Sequence, residues 1–300
     1  MTWFYAHLGI DDTYFANESP EVISDHIIAL FGAKVLAFTK HDPSSLFIEL
    51  EKVNPDGSGA TFIHNSKPGV TANVGPGATC EKRIDEMYLD KSTPENCYRL
   101  ETYRSGGGVS ASAQQQLRCY FISKCNFRKE ALSDSASMKL PDGKTDIVKV
   151  SDPVFLEKAS QNTLDIYQNV MWSVEARTGP VIEVFDVEGS REKRLVIGYR
   201  MGGTTGFFNA LSQLYHFYAL YTSRKYVEQF ANGVTIMCLY LNPLPPNQAP
   251  KNVQIPPIES SIQQVMKEAS LLYCLPDNPF FEGASGQGHA VQEATYACKL

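Results

Sequence analysis

The sequence predicts an α+β protein whose central part is a split βαββαβ unit, preceded by an N-terminal α+β unit and followed by a C-terminal helical segment. Three observations predict this class. Apolar residues recur at helical spacing in several segments, and other short segments are apolar or alternate as strands do. From residue 117 onward the segments follow the order strand, helix, strand, strand, helix, strand. The predicted units are residues 1–94, 95–243 and 258–300, with a proline-rich connector at 244–257.

Composition and charge are those of a globular chain and exclude several classes of partner. The 300 residues are 43% hydrophobic and 20% charged, which is enough apolar material for about two cores. The net charge of -6 disfavours nucleic acid and anionic membranes, since clustered Lys and Arg bind both. The longest aliphatic run, residues 234–241, is far shorter than the roughly 20 residues that cross a bilayer. We therefore expect no nucleic-acid partner and no membrane partner.

Cysteine usage indicates a reducing compartment. The seven cysteines leave at least one thiol unpaired, and no C-x-x-C motif occurs. Cys119 and Cys238 lie in apolar strand patterns, where a free thiol is usually a small hydrophobic side chain. We expect an unsecreted, cytoplasmic protein, with a mitochondrial location as the alternative.

Residues 1–94 predict a helix, two short strands and a long exposed loop. Ser19 and Pro20 are typical of the N-cap and the first position of a helix. The apolar residues that follow on one predicted face are Ile23, Ile27, Leu30 and Phe31. Strands are predicted at 46–53 and 60–64 around a Pro-Asp-Gly turn, and the Gly-, Pro- and Asn-rich residues 66–77 predict the loop.

The middle of the chain predicts two strands, a polar bulge and a helix. The strands are residues 99–104 and 117–123, separated by a flexible Ser-Gly-Gly-Gly run. Residues 128–144 are polar and rich in turn formers, which predicts a surface bulge. Asp152 and Pro153 begin a helical stretch that ends at the Gly-Pro of residues 179–180.

Residues 181–243 predict a hairpin, an apolar helix and two further strands. The hairpin strands are 181–187 and 194–200, and the later strands are 227–230 and 234–241. The helix at 205–221 is apolar nearly all round, so we expect a second surface, at a subunit or domain interface, to cover its outer side. With 117–123 as the first strand, the order is ferredoxin-like. Regulatory ACT domains share this topology and commonly bind amino acids, so the unit is predicted to be ACT-like.

The last part of the chain predicts a connector and a helical segment. Five prolines between residues 244 and 257 favour an extended linker. Ser261 and Gln264 form a capping-box pattern for the next helix. Its apolar stripe is Ile262, Val265, Met266, Ala269, Leu272 and Tyr273. Residues 290–300 begin a helical pattern without a stop signal, so we expect the full protein to continue beyond Leu300.

Two segments carry a family resemblance: WFYAHLGIDDTYFANESPEVISDHIIALFGAKVLAF at residues 3–38 and VMKEASLLYCLPDNPF at residues 265–280. Together they resemble the regulatory N-terminal portion of large-subunit, fungal-type NAD-dependent glutamate dehydrogenases. The resemblance implies that the full-length enzyme oxidatively deaminates L-glutamate to 2-oxoglutarate and ammonium with NAD. It also implies that the catalytic domain lies beyond residue 300. We expect the remainder of its own catalytic chain to be the partner of this region, in a homo-oligomer.

We expect no catalytic, cofactor-binding or metal-binding residue in the chain itself. Dinucleotide sites use a G-x-G-x-x-G turn, and the nearest approach, residues 286–288, lacks the third glycine. Residues 143–145 copy the end of a P-loop, but Met138 occupies its first glycine position. His289 and Glu293 lie one helical turn apart without further metal ligands. NAD is therefore expected on the full-length enzyme and not on this region.

One junction between a strand and a helix is the candidate site for an amino-acid effector. Its predicted effector-binding residues are Arg200, Gly202, Gly203, Thr204, Thr205 and Gly206. Such a loop lies at the positive end of the helix dipole, where a carboxylate is stabilised. The alternative is structural, with a threonine capping the helix and the glycines forming the turn. Two other functions stay open: an autonomous amino-acid sensor, and an oligomerisation scaffold built on the helix at 205–221.

Overall fold

A computed structural model describes residues 18–40, 49–65, 76–104, 117–133, 135–244 and 256–274. Eight strands of these ranges form one antiparallel sheet. They are β1 (Glu49–Val53), β2 (Gly59–Asn65), β3 (Tyr98–Arg104), β4 (Leu117–Lys124), β5 (Val181–Asp186), β6 (Lys193–Arg200), β7 (Leu220–Gln229) and β8 (Val234–Pro243). The order across the sheet is β1-β2-β4-β3-β7-β8-β6-β5.

The helices cover both faces of this sheet. They are α1 (Pro20–Lys40), α2 (Pro76–Ile84), α3 (Lys129–Ser133), α4 (Ile147–Val150), α5 (Pro153–Lys158), α6 (Gln161–Ala176), α7 (Phe207–Phe217) and α8 (Ile258–Cys274). A π-helical turn, Asp85–Leu89, continues α2. No helix within the described ranges is long and apolar enough to cross a bilayer.

Side-chain caps divide the helical stretch predicted from Asp152 onward into two helices. Asp152 accepts a hydrogen bond from the backbone N–H of Val154 and begins α5 with Pro153 at its first position. Ser160 then accepts one from the N–H of Thr163 and begins α6. The prediction of a single helix is therefore wrong, because Ser160 has extended backbone angles and restarts the helix.

Two apolar cores lie on opposite faces of the sheet, because successive strand residues point to opposite sides. On β8, Met237 and Leu239 belong to the core that includes α7 and α8. Their neighbours Ile236 and Cys238 belong to the core that includes α6. The expectation of about two cores is confirmed.

The strand pairing does not contain the predicted ACT-like βαββαβ unit. In a ferredoxin-like sheet, the strand at 117–124 would lie beside β6. Here β4 pairs with β2 and β3, while β8 occupies the position beside β6 because β7 and β8 form a hairpin. The α+β composition agrees with the prediction. Strands of the predicted unit 1–94, β1 and β2, continue the same sheet, and the domain boundaries stay a prediction.

Helix α7 is covered within the chain. Its outer side packs against α8, whose buried residues are Ile262, Val265, Ala269 and Leu272, and against α2. Of its large apolar side chains only Phe217 is exposed. The predicted span 205–221 is too long, because Ala219 turns with φ 56° and β7 begins at Leu220. A subunit interface is therefore not needed to explain the apolar character of this helix.

Helix α1 lies on the face of the sheet opposite to α7. Its His26 stacks on Phe121 of β4, with 3.5 Å between the ring centroids. Leu30 is fully buried, as predicted. Phe31 is 59% exposed, so its predicted place on the buried face is wrong. At 3.6 residues per turn it lies to one side of the stripe formed by the other three residues, together with the exposed Ile28.

Candidate functional site

The predicted effector loop joins the end of β6 to the start of α7. Gly202 and Gly206 have φ of 69° and 65°, left-handed values that favour glycine. Gly206 is the N-cap of α7, and no side chain at that position caps the helix. The alternative prediction, that Thr204 or Thr205 is the cap, is therefore wrong.

Two carboxylates of the chain itself lie at the N-terminus of α7. The Gly206 N–H donates to Oδ1 and Oδ2 of Asp90 at 2.9 and 3.1 Å. The Asn209 N–H donates to Oδ2 of Asp85 at 2.7 Å. Burial raises the pKa of both acids above the ordinary value, well above it for Asp85. Sequence reasoning predicted a carboxylate at this helix end, and the structure places the chain's own side chains there.

The rest of the loop contacts protein on both sides. A Cβ added to Gly203 would lie 2.4 Å from the hydroxyl of Tyr273 in α8, so this glycine permits close packing of α8. Arg200 donates from Nη2 to the carbonyl of Glu175 at 3.0 Å. Gly203 and Gly206 thus contact other parts of the protein, Tyr273 and Asp90 respectively. An effector role for the six loop residues stays a prediction.

The glycine-containing turns at residues 202–206 and 143–145 lie in the described ranges, and neither fits a dinucleotide. The turn before α7 is the nearest strand-turn-helix unit, but Asp85 and Asp90 already accept hydrogen bonds from the amides that would bind a pyrophosphate. Lys144 lies over the Trp172 ring at 4.4 Å, and the Thr145 hydroxyl donates to Glu175 at 2.5 Å. Residues 286–288, His289 and Glu293 lie outside the described residues. Among described residues no three His, Cys, Asp or Glu side chains cluster as metal ligands.

A polar cavity of about 240 Å³ lies on the face of the sheet that carries α5 and α6. Alternate residues of neighbouring strands form its floor. One row across the sheet consists of Tyr103, Arg224, Tyr240 and Arg194. Each of these residues is the cross-strand partner of the next, on β3, β7, β8 and β6 in turn. The next row consists of Glu101, Tyr226 and Cys238. Phe155, Lys158, Thr163 and Tyr167 close the cavity from the helices.

The acidic side of the polar cavity is formed by three glutamates. Lys158 Nζ lies 2.6 Å from Glu18 and 3.0 Å from Glu101. Burial and the neighbouring Glu101 raise the pKa of Glu18. Burial opposes the ionised form of Glu101, but the Glu18 hydrogen bond, Arg99 and Lys158 outweigh it and lower the pKa of Glu101. Glu228 is 5% exposed, and the positive charge of Arg99 favours the ionised form of its carboxyl group. Burial raises the pKa of Glu228 well above its usual value.

The cationic side is formed by Arg194 and Arg224. Arg194 is 8% exposed and donates from Nε to Cys238 Sγ at 3.1 Å and from Nη2 to the Thr163 hydroxyl at 3.4 Å. No carboxylate of the described ranges forms an ion pair with it. Arg224 lies 3.9 Å from the centre of the Tyr240 ring.

Sequence reasoning missed the polar cavity, although a signal for it exists. Residues 99–103 read R-x-E-x-Y and residues 224–228 read R-x-Y-x-E, with charged residues or tyrosine at every second position of the two strands. Period-two spacing places these side chains on one face. Because β3 and β7 are antiparallel, Tyr103 pairs with Arg224 and Glu101 pairs with Tyr226.

A second buried cluster of charges lies on the other face of the sheet. Oε1 of Glu81 in α2 accepts hydrogen bonds from Arg118 Nη1 at 3.1 Å, the Tyr120 hydroxyl at 3.0 Å and Lys225 Nζ at 2.5 Å. Lys225 is fully buried and also donates to the Ser212 hydroxyl at 2.6 Å. Every charge in this cluster is engaged by protein groups, so its role is to fix α2 on the sheet.

Comparisons with known proteins match the chain almost from end to end. The family model "NAD-dependent glutamate dehydrogenase, N-terminal domain" matches residues 1–36, and the model "NAD-specific glutamate dehydrogenase, second domain" matches residues 48–286. The NAD-specific glutamate dehydrogenase of Neurospora crassa is 42% identical over 99% of this chain and 27% of the relative's length. A probable NAD-specific glutamate dehydrogenase of Schizosaccharomyces pombe is 38% identical over 98% of this chain and 26% of its own. Glutamate dehydrogenase 2 of Dictyostelium discoideum is 33% identical over 99% of this chain and 30% of its own.

Proposed function

Because this chain belongs to the NAD-specific glutamate dehydrogenase family, we propose that it is the N-terminal, non-catalytic region of an enzyme that oxidatively deaminates L-glutamate. The products of that reaction are 2-oxoglutarate and ammonium, and NAD accepts the hydride. The region itself contributes regulation and assembly, and NAD binds to the remainder of the chain.

The observation that carries this proposal is the extent of the match. Two family models follow one another along the chain, the N-terminal domain first and the second domain after it. The chain nevertheless spans only about a quarter to a third of the relatives' lengths. We infer that the groups that bind nicotinamide and glutamate lie in the remaining part.

The chemistry of the described residues also supports a non-catalytic role for this region, with catalysis in the remaining part of the protein. A dehydrogenase holds pyrophosphate on free backbone amides at a helix N-terminus. At α7 the amides of Gly206 and Asn209 are bound to the chain's own Asp90 and Asp85. The buried cations Lys225 and Arg118 likewise both form ion pairs with the buried Glu81. These interactions stabilise a scaffold, and they favour a regulatory region over a catalytic one.

The test compares the 300-residue chain, the full-length protein that contains it, and the same protein without residues 1–300. We expect NADH formation from L-glutamate by the full-length protein and none by the 300-residue chain. NAD titration followed by fluorescence should give saturable binding to the full-length protein and not to the chain. NADH formation by the chain alone, at a rate within tenfold of the full-length protein, would overturn the proposal.

A further inference from the structure

Helix α1 is apolar on two sides, and the described part of the chain covers only one of them. Residues 26–33 read H-I-I-A-L-F-G-A, in which His26 is the one polar side chain. His26 stacks on Phe121 and Leu30 is fully buried, so these two residues face the sheet. A helix at the surface of a globular protein carries polar residues on its outer side, whereas a helix that is apolar all round is covered on both sides. The sequence of α1 therefore indicates a second covering surface.

The uncovered side of α1 is a continuous apolar stripe. Ile28, Phe31 and Val35 are 66%, 59% and 45% exposed. They recur at i, i+3 and i+7, and residues three and four apart are neighbours on a helix, so they form one surface, which we call the outer stripe. Single exposed apolar residues are ordinary, whereas a contiguous apolar patch is often an interaction site. Leu271 of α8 is the contrasting case, because it is 46% exposed and its neighbours one turn away are Lys267 and Glu268.

The other side of α1 is fixed, so the outer stripe has a defined position. Glu18, at the start of the helix, forms an ion pair with Lys158 of α5 at 2.6 Å. Farther along, α1 packs on β1 and β2. Gly32 lies beside the outer stripe, and nothing of the described chain comes within 4 Å of the position that its Cβ would occupy. Glycine inside a helix costs stability but permits close approach of another element. This position therefore leaves room for a closely packed partner.

The area of the outer stripe decides between two kinds of partner. The exposed parts of its three side chains amount to roughly 300 Å². A stable interface between separate proteins buries about 800 Å² on each partner, so this stripe alone is too small to hold a second copy of the chain. A segment of the same polypeptide needs less area, because the covalent link gives it an effective concentration in the millimolar range.

The length of the related proteins supplies such a segment. The chain covers 27% of the length of the Neurospora crassa relative, so about three quarters of that protein lies outside the matched part. A long polypeptide of this kind has domains that pack on one another through surfaces smaller and more polar than a core. The outer stripe is of suitable size and composition for one such contact.

We propose that the outer stripe of α1 docks on an apolar surface of the polypeptide beyond residue 300 of the same subunit. The contact would fix this region against the part of the enzyme that we propose to be catalytic. The identity of the partner rests on the proposed function, which makes the chain one region of a longer enzyme. The exposure and spacing of the three apolar residues do not depend on it.

Photo-cross-linking in the full-length protein that contains this chain is the first test. The cross-linker p-benzoylphenylalanine is incorporated in place of Phe31, and in place of Leu271 as the matched control. We expect the Phe31 position to give a product of single-subunit mass, joined to a peptide beyond residue 300, with at least fivefold higher yield than the Leu271 position. A product of twice the subunit mass would indicate a second copy and overturn the proposal. Cross-links confined to residues 1–300, equal yields at the two positions, or no product would overturn it too.

Thiol labelling measures the cover on the outer stripe directly. Val35→Cys and, separately, Leu271→Cys are introduced into the full-length protein and labelled with a maleimide. Peptide mass spectrometry separates each introduced thiol from the seven native cysteines. We expect Val35→Cys to react at least tenfold more slowly than Leu271→Cys, because docking covers it. Equal rates would contradict the inference.

A charge placed in the outer stripe should release the contact. Adding Phe31→Glu to Val35→Cys should speed labelling at least tenfold, because a carboxylate without a partner is costly to bury. Adding Leu271→Glu instead makes the same kind of change at a single exposed site and should leave the rate unchanged. Circular dichroism checks that both variants keep their helix content. Labelling that stays slow with Phe31→Glu in a folded protein would show that the stripe does not carry the contact.

Glutamate-dependent NADH formation in the same samples separates this inference from the proposed function. A full-length protein that forms NADH while Val35→Cys reacts freely would refute the docking and leave the proposed function standing. A protein that forms no NADH but cross-links from position 31 to a peptide beyond residue 300 would refute the proposed function and leave the docking standing.

Discussion

Replacing Glu81 by Gln is expected to destabilise this chain more than replacing Lys225 by Met. Glu81 is the only carboxylate that forms ion pairs in the buried cluster of described residues, where it contacts both Lys225 and Arg118. Glu81→Gln would leave two buried cations without a counter-charge. Removing one partner of a buried ion pair costs about 3–5 kcal/mol of the free energy of unfolding.

Lys225→Met has a smaller expected cost, because Glu81 keeps Arg118 and the Tyr120 hydroxyl as partners. Methionine also fills a similar volume. The loss is then that of hydrogen bonds to a charged group, about 1.5–3 kcal/mol. The difference between the two variants is expected to be about 1–3 kcal/mol, with Glu81→Gln the less stable.

Urea-induced unfolding followed by circular dichroism measures both free energies. Lys82→Met is the matched control on α2, because Lys82 forms only an exposed ion pair with Glu86 at 3.7 Å. Its effect should stay below about 1 kcal/mol. If Lys225→Met proved as destabilising as Glu81→Gln, the argument from an uncompensated charge would be refuted.

Three further predictions concern single positions. Gly203→Ala should cost about 1–3 kcal/mol of unfolding free energy in the same urea assay, because its Cβ would force the Tyr273 hydroxyl, 2.4 Å away, from its place. Gly32→Ala should instead stabilise α1 by about 0.5–1 kcal/mol, since nothing lies within 4 Å of the new Cβ; a loss would contradict this. Burial lowers the pKa of His64 to about 4 from 6.5, so the unfolded chain binds the proton more tightly and stability falls as the pH drops from 7 through 5. His64→Gln should remove about 2 kcal/mol of that pH dependence in urea unfolding at the two pH values, and an unchanged slope would count against it.

Local patterns predicted several strands well, because period-two alternation and turn residues act over a few neighbours, but β7 was predicted only at 227–230 although it begins at Leu220. The strands at 117–124 and 234–243 and the hairpin of β5 and β6 are confirmed within a few residues. Helix α2 was missed, since Pro76 begins it inside a Gly- and Pro-rich run that resembles a loop. Among its described side chains the buried residues are Cys80, Glu81 and Ile84, and because Glu81 is charged the apolar stripe has only two members.

Long-range pairing is what the sequence left undetermined. One of the two partners of β3 is β7, more than one hundred residues away, and no local signal specifies that pairing. The polar cavity depends on it, because Glu101 and Tyr226 become neighbours only in the sheet. The sequence shows the charged residues of both strands, but it does not predict that the two strands pair. The predicted loop at residues 200–206 lies at the N-terminus of α7. There Asp85 and Asp90 occupy the position that was predicted for the carboxylate of a ligand.

Strand β7 has a consequence for natural variation among related chains. Its adjacent residues Arg224 and Lys225 lie on opposite faces of the sheet. Arg224 lines the polar cavity, and Lys225 forms an ion pair with Glu81. A one-residue insertion or deletion inside β7 would exchange the faces of all residues beyond it. Between Arg224 and Glu228, such a change would turn Glu228 away from the polar cavity and towards the opposite core. Length changes in this part of the family should therefore accumulate in the turns at either end and not between Arg224 and Glu228.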